Sequence, residues 1–221
     1  MIAKQLITNH VFPVKPSDTG VFTLAQMDEA HLSHLPIVEG IEFMGIISDK
    51  EILAMDEPGD AIGPYRITPA RAFVTGDQHV YEVLKLFSSM NLTMLPVIND
   101  KNHYLGAIIL PTVVNSMAEI VGIHNPGGVI VLEINDKDYS LTEIVQIVES
   151  NDAKILSCFV TSYPDSTKLE VTIKVNRMEI GPLLQAFFRF DYVVKASWSK
   201  ENSYNEGLQD RFDALMNYLS I

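Results

Sequence analysis

The first half of the sequence contains an internal repeat. Leu35–Val38 (LPIV) returns 60 residues later as Leu95–Ile98 (LPVI), and a glycine opens an apolar run after each copy, at Gly45–Ile47 and at Gly106–Ile109. A repeat of this length is one supersecondary unit, which is too small to bury its own apolar face. We therefore expect two similar units that pack against each other.

A helical pattern precedes each copy. In the second copy the apolar positions recur at helical spacing: Val80, Val83, Leu84 and Phe87. In the first copy a similar pattern starts at Val21, Leu24 and Ala25, with Asp18 or Thr19 as the N-cap. Proline suits the start of a strand, and glycine after the turn permits a backbone conformation that other residues resist. Each unit is therefore predicted as helix, strand, turn, strand, helix.

The pattern of a helix, LPV, a turn, G-I-I-S-x-x-E and a helix resembles the cystathionine-β-synthase (CBS) module, which occurs as tandem pairs. The resemblance covers residues 1–118, about half the chain. It implies a CBS pair over residues 1–124, with modules at about 1–60 and 61–124. It also implies a site for an adenine nucleotide or a related molecule (AMP, ADP, ATP or S-adenosylmethionine) at a G-h-h-[ST]-x-x-D segment, whose hydroxyl and acid contact phosphate and ribose.

Carried onto this sequence, the resemblance makes Ser48 the hydroxyl and Glu51 the acid of the first copy. A carboxylate can accept both hydroxyl protons of a ribose, although glutamate is one methylene longer than the family's aspartate. In the second copy these positions hold Ile109 and Thr112, so that hydroxyl and acid are both missing and the second site is expected to be degenerate. The candidate nucleotide contacts are Ser48, Glu51, His34, Pro36 and Thr112.

The same residues also have a purely structural interpretation. Ser48 followed by Glu51 is a helix N-cap with an acid in the first turn, and both stabilise a helix without any ligand. Leu35-Pro36 and Leu95-Pro96 are equally explained as the buried starts of strands. The sequence alone leaves the two interpretations of Ser48 and Glu51 open.

A second domain is predicted over residues 125–221, because Pro and Gly punctuate a linker at 123–128. Its strands are expected at 129–134, 153–160, 168–175 and 192–197. Asp136 or Asp138 is expected to cap its first helix, and Pro182 lies in the first turn of the second. The apolar positions of the two helices are Leu141, Ile144, Val145 and Val148, and Ile180, Leu183, Leu184 and Phe187. The order βαββαβ is that of ferredoxin-like folds, so the whole chain combines α/β and α+β architecture.

This order and its place after the repeat resemble an ACT domain. The resemblance implies a regulatory unit that pairs through its sheets or helices and that often binds amino acids at a D-x-P-G turn. Here the acid is present as Asp136, but Tyr139 stands near the place of the glycine. We therefore expect dimerisation or partner docking, and no binding of free amino acids by residues 126–221. An amino-acid sensor at this turn is the third possibility.

A last helix is predicted from about Asn205 to Tyr218. Its apolar positions form one side: Leu208, Phe212, Leu215, Met216 and Leu219. That side must pack on the ACT-like sheet, on the CBS pair or on a second subunit. Its polar side is acidic, whereas a membrane-surface helix favours Lys and Arg there.

Charge and composition exclude several classes of function. With 16 basic and 28 acidic residues the formal charge is −12, and a nucleic-acid binder needs a basic surface. The single cysteine permits no intramolecular disulfide and fits a reducing compartment. Since neither a signal peptide nor a run of about 18–20 apolar residues is present, we expect a cytoplasmic protein without membrane contact.

The motifs of catalysis and metal binding are missing from the sequence. It lacks G-x-S-x-G and G-x-G-x-x-G, and the glycine-rich stretch at 122–128 lacks the Lys-[Ser/Thr] of a phosphate loop. His31 and His34 could share a helix face and bind a metal, but no further ligand accompanies them, and His34 is better placed to line a pocket. Cys158 lies within a predicted strand as an inert thiol. We therefore expect neither an enzyme nor a metal site.

Two functions from different classes remain. In the first, the CBS pair senses an adenine nucleotide or related molecule, and the ACT-like domain dimerises or docks a partner. In the second, the chain is a ligand-free homodimeric adaptor. We expect a homodimer in solution. This CBS-plus-ACT layout resembles that of some proteins described as acetoin-utilization proteins, although no residue here points to acetoin chemistry.

Overall fold

The computed structural model describes residues 1–65 and 72–199. Two compact units divide the chain, the first of which comprises Met1–Met117, while the second starts at Ala118. The helix expected over Asn205–Tyr218 lies outside the described residues.

The first unit contains two similar series of elements. The first series is α1 (Gly20–Ala30), β1 (His34–Glu39), β2 (Glu42–Ser48) and α2 (Asp49–Leu53). The second series is β3 (Val74–Thr75), α3 (Val80–Met90), β4 (Met94–Ile98), β5 (Tyr104–Ile109) and α4 (Leu110–Ile120), which starts in the first unit. Each copy thus has the predicted order of helix, strand, turn, strand and helix.

Antiparallel pairs form the centre of both copies. β1 pairs with β2, and β4 pairs with β5, each with a register shift near its end. Gly45 and Gly106 sit at equivalent places in these pairs with φ of 148° and 147°. At Gly106 a Cβ atom would also come within 2.4 Å of Ile7 Cγ2. The repeat therefore needs glycine at this place for its backbone conformation, as the sequence indicated.

The buried side of α1 differs from the prediction. Thr19 is the N-cap, with Oγ1 accepting from Phe22 N–H, but Val21 is 60% exposed. The helix buries Thr23 and Met27 instead, with Leu24 only partly buried. The apolar pattern that starts at Val21 was misleading because it has only three positions. So short a pattern cannot define the buried face of a helix on which a polar residue, Thr23, is buried.

The residues before α1 connect the two copies. A short 3₁₀ helix spans Ala3–Leu6, and Ala3 N–H donates to Gln78 O while Thr8 N–H donates to Ala107 O, both in the second copy. Val14 N–H then donates to Pro36 O in the first copy. No pattern in the sequence indicated this arrangement, because it depends on backbone hydrogen bonds rather than on side chains.

The second unit has the predicted order βαββαβ. Its elements are β6 (Val129–Asn135), α5 (Leu141–Glu149), β7 (Ile155–Ser162), β8 (Lys168–Val175), α6 (Gly181–Arg189) and β9 (Val193–Trp198). The strands form one antiparallel sheet in the order β7-β8-β6-β9. Both helices pack against one face of the sheet around Ile130, Ile144 and Phe187.

The start of α5 corrects one prediction. Asp136 and Asp138 lie in a 3₁₀ helix, Asp136–Asp138, and neither caps α5. Ser140 is the N-cap, and its Oγ accepts from Glu143 N–H at 3.3 Å. Serine in extended conformation directly before the first apolar residue suits this place better than the earlier acids. Among the helices of the described residues, none is both long and apolar enough to cross a membrane.

Candidate functional site

Three of the predicted site residues meet where β2 passes into α2. His34 opens β1 and is the register partner of Ser48, the last residue of β2. Glu51 follows in the first turn of α2, and Asp49 N–H donates to Ser33 O at 3.0 Å, which holds the start of α2 against the start of β1. We call His34, Ser48 and Glu51 the β2–α2 corner.

Within this corner Ser48 and Glu51 are bonded to each other. Ser48 N–H and Ser48 Oγ both lie 2.9 Å from Glu51 Oε2, and Glu51 N–H donates to Ser48 Oγ at 3.3 Å. This reciprocal arrangement is a capping box. The structural interpretation of the two residues therefore holds in this state. Glu51 Oε2 is fully engaged in it, while Oε1 has no part in these three hydrogen bonds.

His34 is half-buried and is bonded to the second copy. Thr93 Oγ1 accepts from Ser33 N–H and lies 3.1 Å from His34 Nδ1, and Thr93 N–H donates to the same nitrogen at 3.4 Å. Nδ1 is thus an acceptor, which requires that it carry no proton. Burial lowers the pKa of His34 below its usual value, and the Asp49 and Glu51 carboxylates oppose that shift.

Sequence reasoning missed Thr93. The signal was available, because Thr93 stands 60 residues after Ser33, at the offset that relates Leu35 to Leu95. The two residues before each LPV segment therefore approach each other across the repeat.

The lowered pKa of His34 predicts how stability depends on pH. The unfolded chain, with an ordinary histidine pKa of about 6.5, binds more protons than the folded chain at mildly acidic pH, so stability falls as the pH drops below that value. We expect His34→Gln to flatten the slope of the unfolding free energy between about pH 7 and pH 5. Urea unfolding at several pH values measures this slope. The matched control is His124→Gln at an exposed position, and an equal flattening by both variants would contradict the assignment.

The two other predicted residues lie in β1 and in α4. Pro36 is buried in β1, opposite Ile46, and its carbonyl accepts from Val14 N–H, so it serves the strand pairing. Thr112 is half-buried in α4, in the second copy.

A cavity of about 550 Å³ lies beside the second-copy position. It is lined by His10, Phe12, Gln26, Glu29, Ala30, Leu35 and Ile109. Ile109 stands where the first copy has Ser48, so this wall offers no hydroxyl. Gln26 Nε2 donates to Glu29 Oε2 at 3.3 Å, and the described residues that line the cavity include an acid but no lysine or arginine. The cavity is therefore poorly suited to phosphate.

The weaker candidates separate in the structure. His31 ends α1 in a left-handed conformation with φ of 53°, while His34 lies in β1, so the two do not share a helix face. No cluster of metal-ligating side chains occurs in the described ranges 1–65 and 72–199. Cys158 lies in β7, and burial raises the pKa of its thiol, which disfavours the thiolate form.

Comparison with known proteins bears on the first unit. A family model of the CBS domain matches residues 3–56 and 66–123. Among solved structures, the chain is similar to a CBS domain pair/ACT domain protein from Thermotoga maritima at 20% identity and a TM-score of 0.50, over 54% of this chain and 98% of that chain. At this identity the likeness establishes the fold of the CBS pair.

Two further structures give lower scores. CBSX2 in complex with AMP matches at 21% identity and a TM-score of 0.48, over 54% of this chain and 97% of that chain. The cytosolic domain of the Mg²⁺ channel MgtE in complex with ATP matches at 19% identity and a TM-score of 0.45, over 52% and 48% of the two chains.

Proposed function

Because the chain belongs to the CBS-domain family, whose model matches both copies of its repeat, we propose that it is a regulatory protein that binds an adenine nucleotide or a related small molecule at the β2–α2 corner. The convergence of His34, Ser48 and Glu51 at that corner is the observation that carries the proposal. We propose a sensing role without catalysis, in which Ser48 and Glu51, bonded to each other, cap α2 and contact the ligand.

The chemistry of the corner suits a ribose better than a long phosphate chain. Glu51 Oε1 can accept a hydrogen bond from a ribose hydroxyl. The Ser48 hydroxyl can rotate away from Glu51 and donate a hydrogen bond to a ligand. Asp49 and Glu51 place two acids beside the corner, against Lys50. Each added phosphate therefore meets more repulsion, and the affinity should fall from AMP to ADP to ATP. S-adenosylmethionine carries a sulfonium cation where the nucleotides carry phosphate, so it meets no such repulsion.

A thermal-shift screen of the full chain tests the proposal. The ligands are AMP, ADP, ATP and S-adenosylmethionine, with guanosine monophosphate as the control for the base. A ligand that binds only the folded chain stabilises it by about 2.7 kcal/mol at a hundred times its dissociation constant. We expect stabilisation by at least one adenine compound and none by the guanine control. If no adenine compound stabilises the chain, the alternative of a ligand-free homodimeric adaptor is favoured.

The second unit, in this proposal, is an ACT-like domain that serves association or partner docking. Tyr139 packs against the core of this unit, at the turn where ACT domains need glycine to bind an amino acid. We therefore propose that it binds no free amino acid there, and that an amino-acid sensor is the weaker alternative.

We also propose that the protein is a homodimer and that α4 takes part in the contact. Leu110 and Val114 lie one turn apart on α4 and are 45% and 58% exposed. Leu110 also borders a groove of about 420 Å³ whose apolar lining residues are Leu84, Phe87 and Leu92. Exposed apolar side chains grouped in this way are typical of an interaction surface.

The expected mass in light scattering is therefore twice the 24.7 kDa of one chain at micromolar concentration. Val114→Glu should shift the mass towards the monomer, because a carboxylate would be buried without a partner. Asn115→Glu, at the next and exposed position of the same helix, is the control and should leave the dimer intact. A wild-type mass near 24.7 kDa would contradict the dimer, and an unchanged Val114→Glu mass would contradict the role of α4.

A further inference from the structure

The sheet of the second unit has an apolar band on its outer face, the face opposite α5 and α6. Strand register aligns one residue of each strand in a row: Ala196 is opposite Val131, Val131 is opposite Thr172, and Thr172 is opposite Phe159. Trp198 lies two residues after Ala196 in β9 and therefore points to the same outer face. We call these five residues the outer band.

The band is exposed at both of its ends. Val131, at its centre, is only 8% exposed, whereas Phe159 on β7 and Trp198 on β9 are 42% and 59% exposed. These two strands are the edges of the sheet, so the exposed aromatic rings stand at opposite sides of it. An aromatic side chain in water at each end of an apolar row is typical of a surface that another element covers.

Charged side chains limit the band on one side. The next outward-facing residues along the strands form ion pairs, Glu133 with Lys168 and Glu170 with Lys195. An apolar partner cannot lie over these pairs without removing them from water. It must therefore cross the strands along the row from Trp198 to Phe159.

We propose that the outer band is the docking surface of this chain's own segment from Asn205 to Leu219. The sequence of that segment, which lies outside the described residues, predicts a helix with one apolar side. From Leu208 to Leu219 that side would extend about 16 Å, at 1.5 Å per residue. Four strands at about 4.8 Å spacing make the row about 14 Å long, so the two lengths agree.

The position of the segment in the chain favours it over other occupants. It follows edge strand β9 after residues 199–204, which reach up to about 20 Å and allow the chain to turn onto the face. In a helical pattern its acids Glu206, Asp210 and Asp213 lie about 100° or more around the axis from Phe212, where they would stay in water. A tethered segment also has a far higher effective concentration than a second copy at micromolar levels.

Trp198 is the only tryptophan of the chain and therefore reports directly on the band. Acrylamide quenching and the emission maximum of Trp198 are measured in the full chain and in Phe212→Asp. We expect the wild-type indole to be protected, and the variant to show stronger quenching with emission shifted to longer wavelength. Asp213→Asn, at the neighbouring residue on the polar side, is the matched control and should leave both signals unchanged.

A second variant tests the surface itself. Phe159→Ser should expose Trp198 in the same way, although Phe159 lies on the opposite edge of the sheet, because it removes one end of the docking surface. Phe188→Ser, at a residue of α6 that is 59% exposed, is its control and should have no effect. Circular dichroism verifies that each variant is folded.

Three outcomes would overturn the proposal. The first is a wild-type Trp198 that is quenched as readily as in Phe212→Asp. The second is an Asp213→Asn effect as large as that of Phe212→Asp. The third is protection that disappears on dilution to the monomer, since this would assign the band to a second copy. Protection that persists at every concentration and is lost in both Phe212→Asp and Phe159→Ser would support it.

Discussion

Replacing Phe187 with alanine is expected to lower the free energy of unfolding of the second unit by about 3–5 kcal/mol, the usual range for a buried phenylalanine. Phe187 is fully buried in α6 and contacts the Tyr192 ring edge-on, with centroids 5.7 Å apart. The truncated side chain would leave a cavity that helices anchored on a sheet cannot close.

The neighbouring residue provides the control. Phe188 belongs to the same helix and is 59% exposed, so Phe188→Ala should change the free energy by less than about 0.5 kcal/mol. Urea unfolding followed by Trp198 fluorescence measures the second unit separately, since the chain has one tryptophan and two units need not unfold together. Equal losses in the two variants would contradict the core that we describe.

The strands of the second unit were predicted closely because one face of the sheet is buried and the other is not. β8 occupies Lys168–Val175, as predicted, and its alternation of polar and apolar residues leaves one register. The strand expected at 153–160 forms two residues later, as β7 at Ile155–Ser162. Its edge position and its register shift near Ile155 weaken the alternation there, so that the sequence marks its ends less clearly.

The elements of the first unit were predicted from its internal repeat rather than from alternation within single strands. Its two copies share LPV and glycine segments, and similar segments form similar β-pairs. The pairing of the N-terminal residues with the second copy could not be predicted from the sequence, because Ala3 and Thr8 contribute only backbone groups to it. The sequence did not predict the buried side of α1 either. Thr23 is a polar residue, and it can lie in the core because its hydroxyl donates to Thr19 O.

The candidate site was partly predictable. Ser48 and Glu51 were found because the family motif and helix capping both require a hydroxyl and an acid three residues apart. Thr93 was missed because its role comes from the approach of the two copies, where it bonds His34 Nδ1. Thr112 and Pro36 were included through the resemblance alone; the structure places Pro36 within β1 and Thr112 in α4.

The β2–α2 corner leads to the second large effect, which concerns affinity. For an adenine ligand that stabilises the chain in the thermal-shift screen, Glu51→Ala should weaken binding by about 1.5–3 kcal/mol, or about 10- to 150-fold, the range for a hydrogen bond to a charged group. Thr112→Ala should change the affinity far less, because Thr112 lies in the second copy. Isothermal titration calorimetry of the full chain measures both affinities.

Glu51→Ala also removes the capping box, so a further variant must separate binding from folding. In Glu51→Gln the amide oxygen can still accept from Ser48 N–H and Oγ, which preserves the cap, while the charge is lost. We expect Glu51→Gln to keep the stability of the first unit and still to weaken binding, since a neutral amide accepts a ribose hydroxyl less strongly than a carboxylate does. If Glu51→Gln bound as tightly as the wild type while Glu51→Ala did not, Glu51 would act only by capping α2. If Glu51→Ala and Thr112→Ala weakened binding equally, the nucleotide site could not be assigned to the first copy.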